Sequence, residues 1–457
     1  MTLVLWCLLV GSILFPRVQL GPLTIALEDG IALAGLLLIA AWLVGGRYQG
    51  AWRVRGLTAL WFAIIVCGIG FGLIHSLMLL DRIVLPTEMW QYVKRMVYFL
   101  LAVRLFHSGR LDARAGIAVL LVVLLALNLI GLLQLGGPWA EPLSALYSQN
   151  DIQLEALLEN DADTARNYSV TGFSTSWGGL AAFIFAISLA LFLFRSKGRG
   201  SQLGIVGSMP VVAALIAMSL LNVFLSGSRA AILAAFVVLA VFGGLSLIGR
   251  ENVVRKVSYI AVMLVGSLLA AYVTVTFFAD RLEFLRYRNE ALVTAYYEGS
   301  NRFGDVQTAM SALTDPYFWT FGVSNAVQRA EYVEYGVEVE PVYLLVNYGL
   351  FGLALRYLLL WLVVVRSFQL FRLGTAGEPL ARALGAAGVA AVAGYGAFSV
   401  GYFFFQESVV GTFPWLFFGM LIGLPLRQET PMLAPGAIVA WHASTARAPA
   451  TQLQESR

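Results

Sequence analysis

Residues 115–135 read AGIAVLLVVLLALNLIGLLQL, with no charged side chain and only Asn128 and Gln134 to break the apolar run. About twenty such residues, rising 1.5 Å each in a helix, match a hydrocarbon core of about 30 Å. Comparable runs recur on both sides, near 2–15, 24–44, 57–80 and 89–106, and then near 170–194, 204–225, 230–248, 257–278, 341–365, 383–405 and 408–426. The pattern predicts an all-α polytopic integral membrane protein of about twelve transmembrane helices. Residues 1–427 form the helical bundle, and 428–457, rich in Ala, Thr, Ser and Pro, form a disordered tail.

Composition agrees with this reading. The 457 residues are 59% hydrophobic and 12% charged, whereas soluble domains carry about a quarter charged residues. A net charge of +4 is what basic cytoplasmic loops supply, and nucleic acid is not an expected partner. Cys7 and Cys67 both lie inside apolar runs, which argues against a disulfide framework or a thiolate metal site; no metal or cofactor is expected. The first run has no basic leader and no clear cleavage site, so it reads as a retained helix.

Orientation follows from lysine and arginine. With the N-terminus inside, inner segments carry Arg47, Arg53 and Arg55; Arg104, Arg110 and Arg114; Arg195, Lys197 and Arg199; Arg250, Arg255 and Lys256; Arg366, Arg372 and Arg382; Arg427, Arg447 and Arg457. This alternation puts both termini in the cytoplasm. Two outer loops are then long. Loop 136–169 has six acids against Arg166 alone; loop 279–340 has ten acids, five arginines and many aromatics. The periodic stretch 303–313 predicts short helices over the bundle.

The informative cations break the positive-inside pattern: Arg17, Arg82, Lys94, Arg95, Arg166 and Arg229. Lys94 and Arg95 either snorkel to outer headgroups or pair with Glu28, Asp29 or Glu88. Arg229 closes the turn Leu225-Ser226-Gly227-Ser228, where small residues and a helix start favour an anion. Outer-face cations at the lipid boundary suit a lipid-linked phosphate or pyrophosphate. Arg356, well inside its span, reads as a paired or snorkelling structural arginine.

Four stretches in order resemble the bacterial O-antigen ligase and polysaccharide polymerase superfamily. They are the Leu-Ser-Gly-Ser-Arg-Ala-Ala turn, Arg166-Asn-Tyr-Ser-Val-Thr-Gly-Phe-Ser, the stretch from Asn301-Arg302-Phe303 through Pro316 to Gly322-Val323-Ser324-Asn325, and Glu340-Pro-Val-Tyr343-Leu344 followed by Gly349-Leu-Phe-Gly352. The likeness covers roughly 160–365. It implies a GT-C-like glycosyltransferase of the bacterial inner membrane, taking a glycan from undecaprenyl pyrophosphate on the periplasmic face without a metal. Arg229 and Arg302 are then the leading pyrophosphate ligands, with Lys94, Arg95 and Arg166 as further candidates and Tyr343 as a glycan contact.

Ligases of that superfamily carry a His-Asn pair before the Tyr-Leu of the helix after the loop. Here the place holds Glu340-Pro341, and the histidines are His75, His107 and His442, none in a long outer loop. The expectation is therefore a polymerase of lipid-linked repeat units, with a ligase acting on lipid A core as the alternative. Glu340 is the candidate base, and a solvated loop carboxylate or a salt-bridge partner of a loop arginine is its plainer reading. Glu407 is a weaker candidate. The loop aromatics Tyr287, Tyr296, Tyr297, Phe303, Trp319, Tyr332 and Tyr335 either stack on sugars or pack. Chain-length regulator and flippase proteins are possible partners on this reading. A transporter would show charges lining a path and related halves, and the halves here differ in loop pattern.

Overall fold

The computed structural model describes residues 2–20, 23–44, 52–86, 88–109, 111–135, 138–148, 167–194, 208–248, 302–311, 313, 315–324, 327, 339–374, 379–402 and 411–425. The predicted span 257–278, Arg166, Glu407, residues 279–301 of loop 279–340 with Tyr287, Tyr296 and Tyr297, the later loop residues Tyr332 and Tyr335, and the tail 428–457 lie outside them. Every other predicted span falls on a helix. In chain order these are α1 (Thr2–Gly11), α2 (Leu27–Val44), α3 (Trp52–Leu80), α4 (Met89–His107), α5 (Ala113–Leu133), a short α6 (Ala140–Tyr147), α7 (Ser174–Phe194), α8 (Met209–Leu225) and α9 (Arg229–Ile248). Loop helices α10 (Arg302–Ser311) and α11 (Pro316–Phe321) precede α12 (Glu340–Gly374), α13 (Pro379–Ser399) and α14 (Thr412–Gly423).

Among the described residues, six helices are long and apolar enough to cross a membrane, and α1, α8 and α14 belong to shorter apolar helices. Large apolar side chains such as Leu37, Val66, Leu77, Met78, Phe236 and Trp361 face outward. In water that belt would be a sticky patch; in lipid it is the solvated face. The chain is a multi-pass α-helical membrane protein.

Helix α7 forms the centre, with 89% of its apolar window buried. It packs against α8, α9 and α13. Small residues bring backbones together around it: Gly385 and Gly388 of α13 lie against Ser367 of α12, and Gly419 of α14 lies against the Phe99 carbonyl of α4. Where lipid removes the hydrophobic drive between helices, such close approach supplies the packing energy. Among the described residues, one paired element is extended and not helical. Val18–Leu20 and Leu23–Ile25 pair antiparallel, Val18 facing Ile25, ahead of α2.

The apolar window near 341–365 is longer than expected and is not straight. Helix α12 bends at Gly349 (φ 65°, ψ −173°). A bend frees carbonyls that a continuous helix would bond internally, and buried carbonyls need a donor. Residues 323 and 324 supply it: Val323 N–H donates to the Val346 carbonyl at 2.7 Å and Ser324 N–H to the Asn347 carbonyl at 3.1 Å. Gly322 (φ 76°) and Gly349 sit where the two backbones cross, and a Cβ on Gly349 would strike the Thr320 carbonyl. Only glycine fits this crossing.

The predicted loop helices are present as α10 and α11. Ala309, Leu313, Val323, Val327 and Val346 make a small core there, against Leu79 and Leu80 at the end of α3. Asp315 caps α11 by accepting from Tyr317 N–H at 2.7 Å. His75 Nε2 of α3 meets Tyr317 Oη at 3.1 Å, and Phe71 stacks near Phe321.

Candidate functional site

The charged residues of α4 separate into two settings, because adjacent positions on a helix point about 100° apart. Lys94 is buried and pairs with Asp29 Oδ1 of α2 at 3.0 Å. Asp29 also accepts from Trp90 Nε1 and from Ala26 N–H, each at 2.9 Å. Beside it, buried Glu28 accepts from Thr412 Oγ1 of α14 at 3.1 Å. Lys94 therefore pairs inward and does not snorkel.

Arg95 turns the other way. Its guanidinium lies 5.3 Å from the Tyr92 ring centroid, and it interacts electrostatically with Glu340, Arg356 and Tyr343. Glu340 Oε1 and Arg356 Nη2 are 3.7 Å apart, both side chains almost wholly buried. Arg356 lies over the Trp415 ring, 4.5 Å from its centroid. Arg356 thus pairs with the Glu340 carboxylate where α12 meets α14, and Arg95 of α4 lies within electrostatic reach of both. Glu340 is salt-bridged, but to Arg356 of its own helix and not to a loop arginine. Tyr343 is partly buried nearby, its ring 6.4 Å from that of Tyr348.

A groove between α3, α4 and α12 runs beside this cluster. Its cavity is about 20 Å³, lined by Ile64, Cys67, Met89, Leu344, Phe351 and, at the polar end, Arg356 with Tyr92.

Arg229 stands elsewhere, exposed at the first position of α9, which packs on α7, α8 and α13. The turn before it is held firmly. Gly227 takes φ 64°, Ser226 Oγ accepts from Ser228 N–H and Ser228 Oγ from Ala231 N–H, each at 3.3 Å. Gly178 of α7 lies against Ser226 and Ser228 with no room for a side chain.

Behind this turn is an amide network that sequence reasoning did not single out. Asn222, one turn before Ser226, donates to Asn128 Oδ1 at 2.9 Å and accepts from Asn167 Nδ2 at 2.5 Å and Trp177 Nε1 at 3.3 Å. Gln134 Oε1 accepts from Ser169 N–H at 2.6 Å while its Nε2 donates to the Ser169 carbonyl at 2.9 Å. The segment following Arg166 is bound through Asn167 to the same asparagine, in the last turn of α8. Tyr168 donates its hydroxyl to the Ser144 carbonyl at 2.8 Å, and burial pushes its phenol above the ordinary range. The available signal was the lone amides Asn128 and Gln134 in an otherwise apolar run, since uncompensated amides are costly in lipid.

The structure thus brings Arg95, Glu340 and Tyr343 together, adds Arg356, and sends Lys94 to a different partner. Arg302 is the first residue of α10. No protein-family model matches the chain, and no curated protein matches it.

Proposed function

We propose that this protein is a membrane glycosyltransferase that polymerises undecaprenyl-pyrophosphate-linked oligosaccharide repeat units on the periplasmic face. In this reading the bundle is GT-C-like, crosses the bacterial inner membrane about twelve times and keeps both termini in the cytoplasm. The observation that carries it is Arg229: an exposed guanidinium at the start of α9, on a turn locked by the Asn222 network. A helix start, small residues and a fixed cation favour an anion such as a departing pyrophosphate.

The reaction needs little else. A sugar hydroxyl of the acceptor attacks the anomeric carbon of the donor glycan, and the anomeric C–O bond to pyrophosphate breaks. Arg229, with Arg302, Arg166 and the α4 cations as further candidates, stabilises charge on the leaving oxygen without a metal. The hydroxyl proton passes to a base, for which Glu340 is the candidate, its carboxylate oriented by Arg356.

Purified protein with lipid-linked repeat units tests this. Longer lipid-linked glycans are expected. Product only upon addition of lipid A core would make it a ligase, and transport without new glycosidic bonds would rule out both.

A further inference from the structure

We infer that the short helix α6 (Ala140–Tyr147) lies in the boundary between acyl chains and headgroups of the leaflet where α5 ends, and anchors residues 138–148 to a phospholipid surface. Successive residues of a helix turn about 100°, so Trp139, Pro142 and Leu146 share one face. All three are exposed, Trp139 by 60% and Leu146 by 49%. The flank beside them turns inward, with Ser144 and Tyr147 buried. Glu141 stands exposed on the remaining flank and is the one charged residue of the helix. Protein, hydrocarbon and water thus each have a side, which is the pattern of a segment lying in a membrane interface.

Depth and continuity both place this face against lipid. Tyr168 N–H donates to Gln134 Oε1 at 3.2 Å, at the end of α5, and its hydroxyl donates to the Ser144 carbonyl at 2.8 Å. Ser169 Oγ donates to the Leu127 carbonyl of α5 at 2.7 Å. One tyrosine therefore spans from the last turns of α5 to α6. Tyr147 Oη donates to the Leu14 carbonyl at 2.7 Å, three residues past α1. Helix α6 is pinned where two apolar helices end, not out in solvent. Along α5, a helix long and apolar enough to cross a membrane, Val122, Leu129 and Leu133 form the exposed side. Beyond Leu133, Trp139 and Leu146 are the next large apolar side chains to be exposed. Tryptophan favours this level of a bilayer. With no lysine or arginine in α6, the anchor rests on apolar area and not on attraction to anionic lipid. The assignment does not depend on the glycosyltransferase reading.

Fluorescence quenching at single cysteines tests this. With Cys7→Ser and Cys67→Ser as background, Leu146→Cys carries a bimane label in nanodiscs holding a single copy of the protein. The discs are made of phosphatidylcholine, alone or mixed with phosphatidylglycerol. Lipids spin-labelled near the top of the acyl chain should quench the label about twofold more than lipids labelled near the chain end, because an interfacial helix buries its apolar face by about 5–10 Å. Quenching should be the same in both lipid compositions. Aqueous iodide should quench a label at Glu141→Cys and spare the one at 146. Trp139→Cys gives a second reading of the same face, so a local disturbance at either position does not decide the result. Iodide quenching at 139 and 146 equal to that at 141 would put the face in water and overturn the assignment. Shielding from both iodide and spin-labelled lipid would mean that protein covers it, with the same consequence. Lipid quenching seen only with phosphatidylglycerol would overturn the apolar basis of the anchor. None of these readouts uses glycan synthesis.

Discussion

Glu340 and Arg356 are sixteen positions apart on one helix, yet their side chains meet at 3.7 Å. A straight helix would hold their backbones about 24 Å apart. The bend at Gly349 folds the two arms toward each other and creates the pair.

Replacing the bend glycine should be costly. Gly349→Ala places a Cβ against the Thr320 carbonyl at a positive φ, and strained backbone of this kind costs on the order of 1–3 kcal/mol before the clash is added. Thermal unfolding in detergent should show a clear fall in Tm. Gly70→Ala in α3, where nothing lies within 4 Å of an added Cβ, is the control and should be neutral or slightly stabilising.

Breaking the ion pair from one side should cost more than removing it whole. Arg356→Gln leaves the Glu340 charge buried with a poorer balance, and loss of one partner of a buried pair costs roughly 3–5 kcal/mol. The double variant Arg356→Gln with Glu340→Gln should recover a large part of that loss in a thermal-stability cycle. Strict additivity would show that the two side chains do not act as a pair.

Asn222 is expected to be the most sensitive amide in the protein. Asn222→Ala strips partners from Asn128, Asn167 and Trp177 at once, and each stranded buried group costs about 1–3 kcal/mol. Asn222→Asp keeps the acceptor oxygen but turns a carboxyl oxygen toward the Asn128 and Met218 oxygens, and should be no milder. Denaturation of both variants beside the parent protein measures the order.

Arg229→Ala should leave stability within about 0.5 kcal/mol, because the side chain is exposed. Chain extension should nevertheless fall by roughly 10²–10³, the usual loss for one transition-state charge contact. Arg229→Lys should restore only part, since an ammonium cannot offer two parallel donors. Arg302→Ala is expected to behave like Arg229→Ala in the same assay. Near-parent rates in either alanine variant would remove that residue from the site.

Helix positions were largely legible in the sequence because each span must satisfy its own backbone in lipid, leaving a long apolar run as its mark. The pairing of Lys94 with Asp29 was among the readable options, because buried charge seeks an opposite charge. The bend at Gly349 was not legible. A glycine inside an apolar window is common in membrane helices, and only the crossing strand at Gly322 requires this one to leave the helical region. The Glu340–Arg356 contact was hidden for the same reason, since periodicity places those residues on well-separated turns of a straight helix. Asn222 also looked ordinary, as its weight comes from partners at 128, 167 and 177 that proximity in sequence does not reveal.

The crossing of residues 320–324 with the bent helix has a mechanical consequence. The loop backbone completes hydrogen bonds that α12 cannot complete alone, so α11 is no detachable flap. Any displacement of α11 has to carry the arm from Glu340 to Tyr348 with it as one lever. Gly349 is its fulcrum, and the carboxylate of Glu340 travels at the far end.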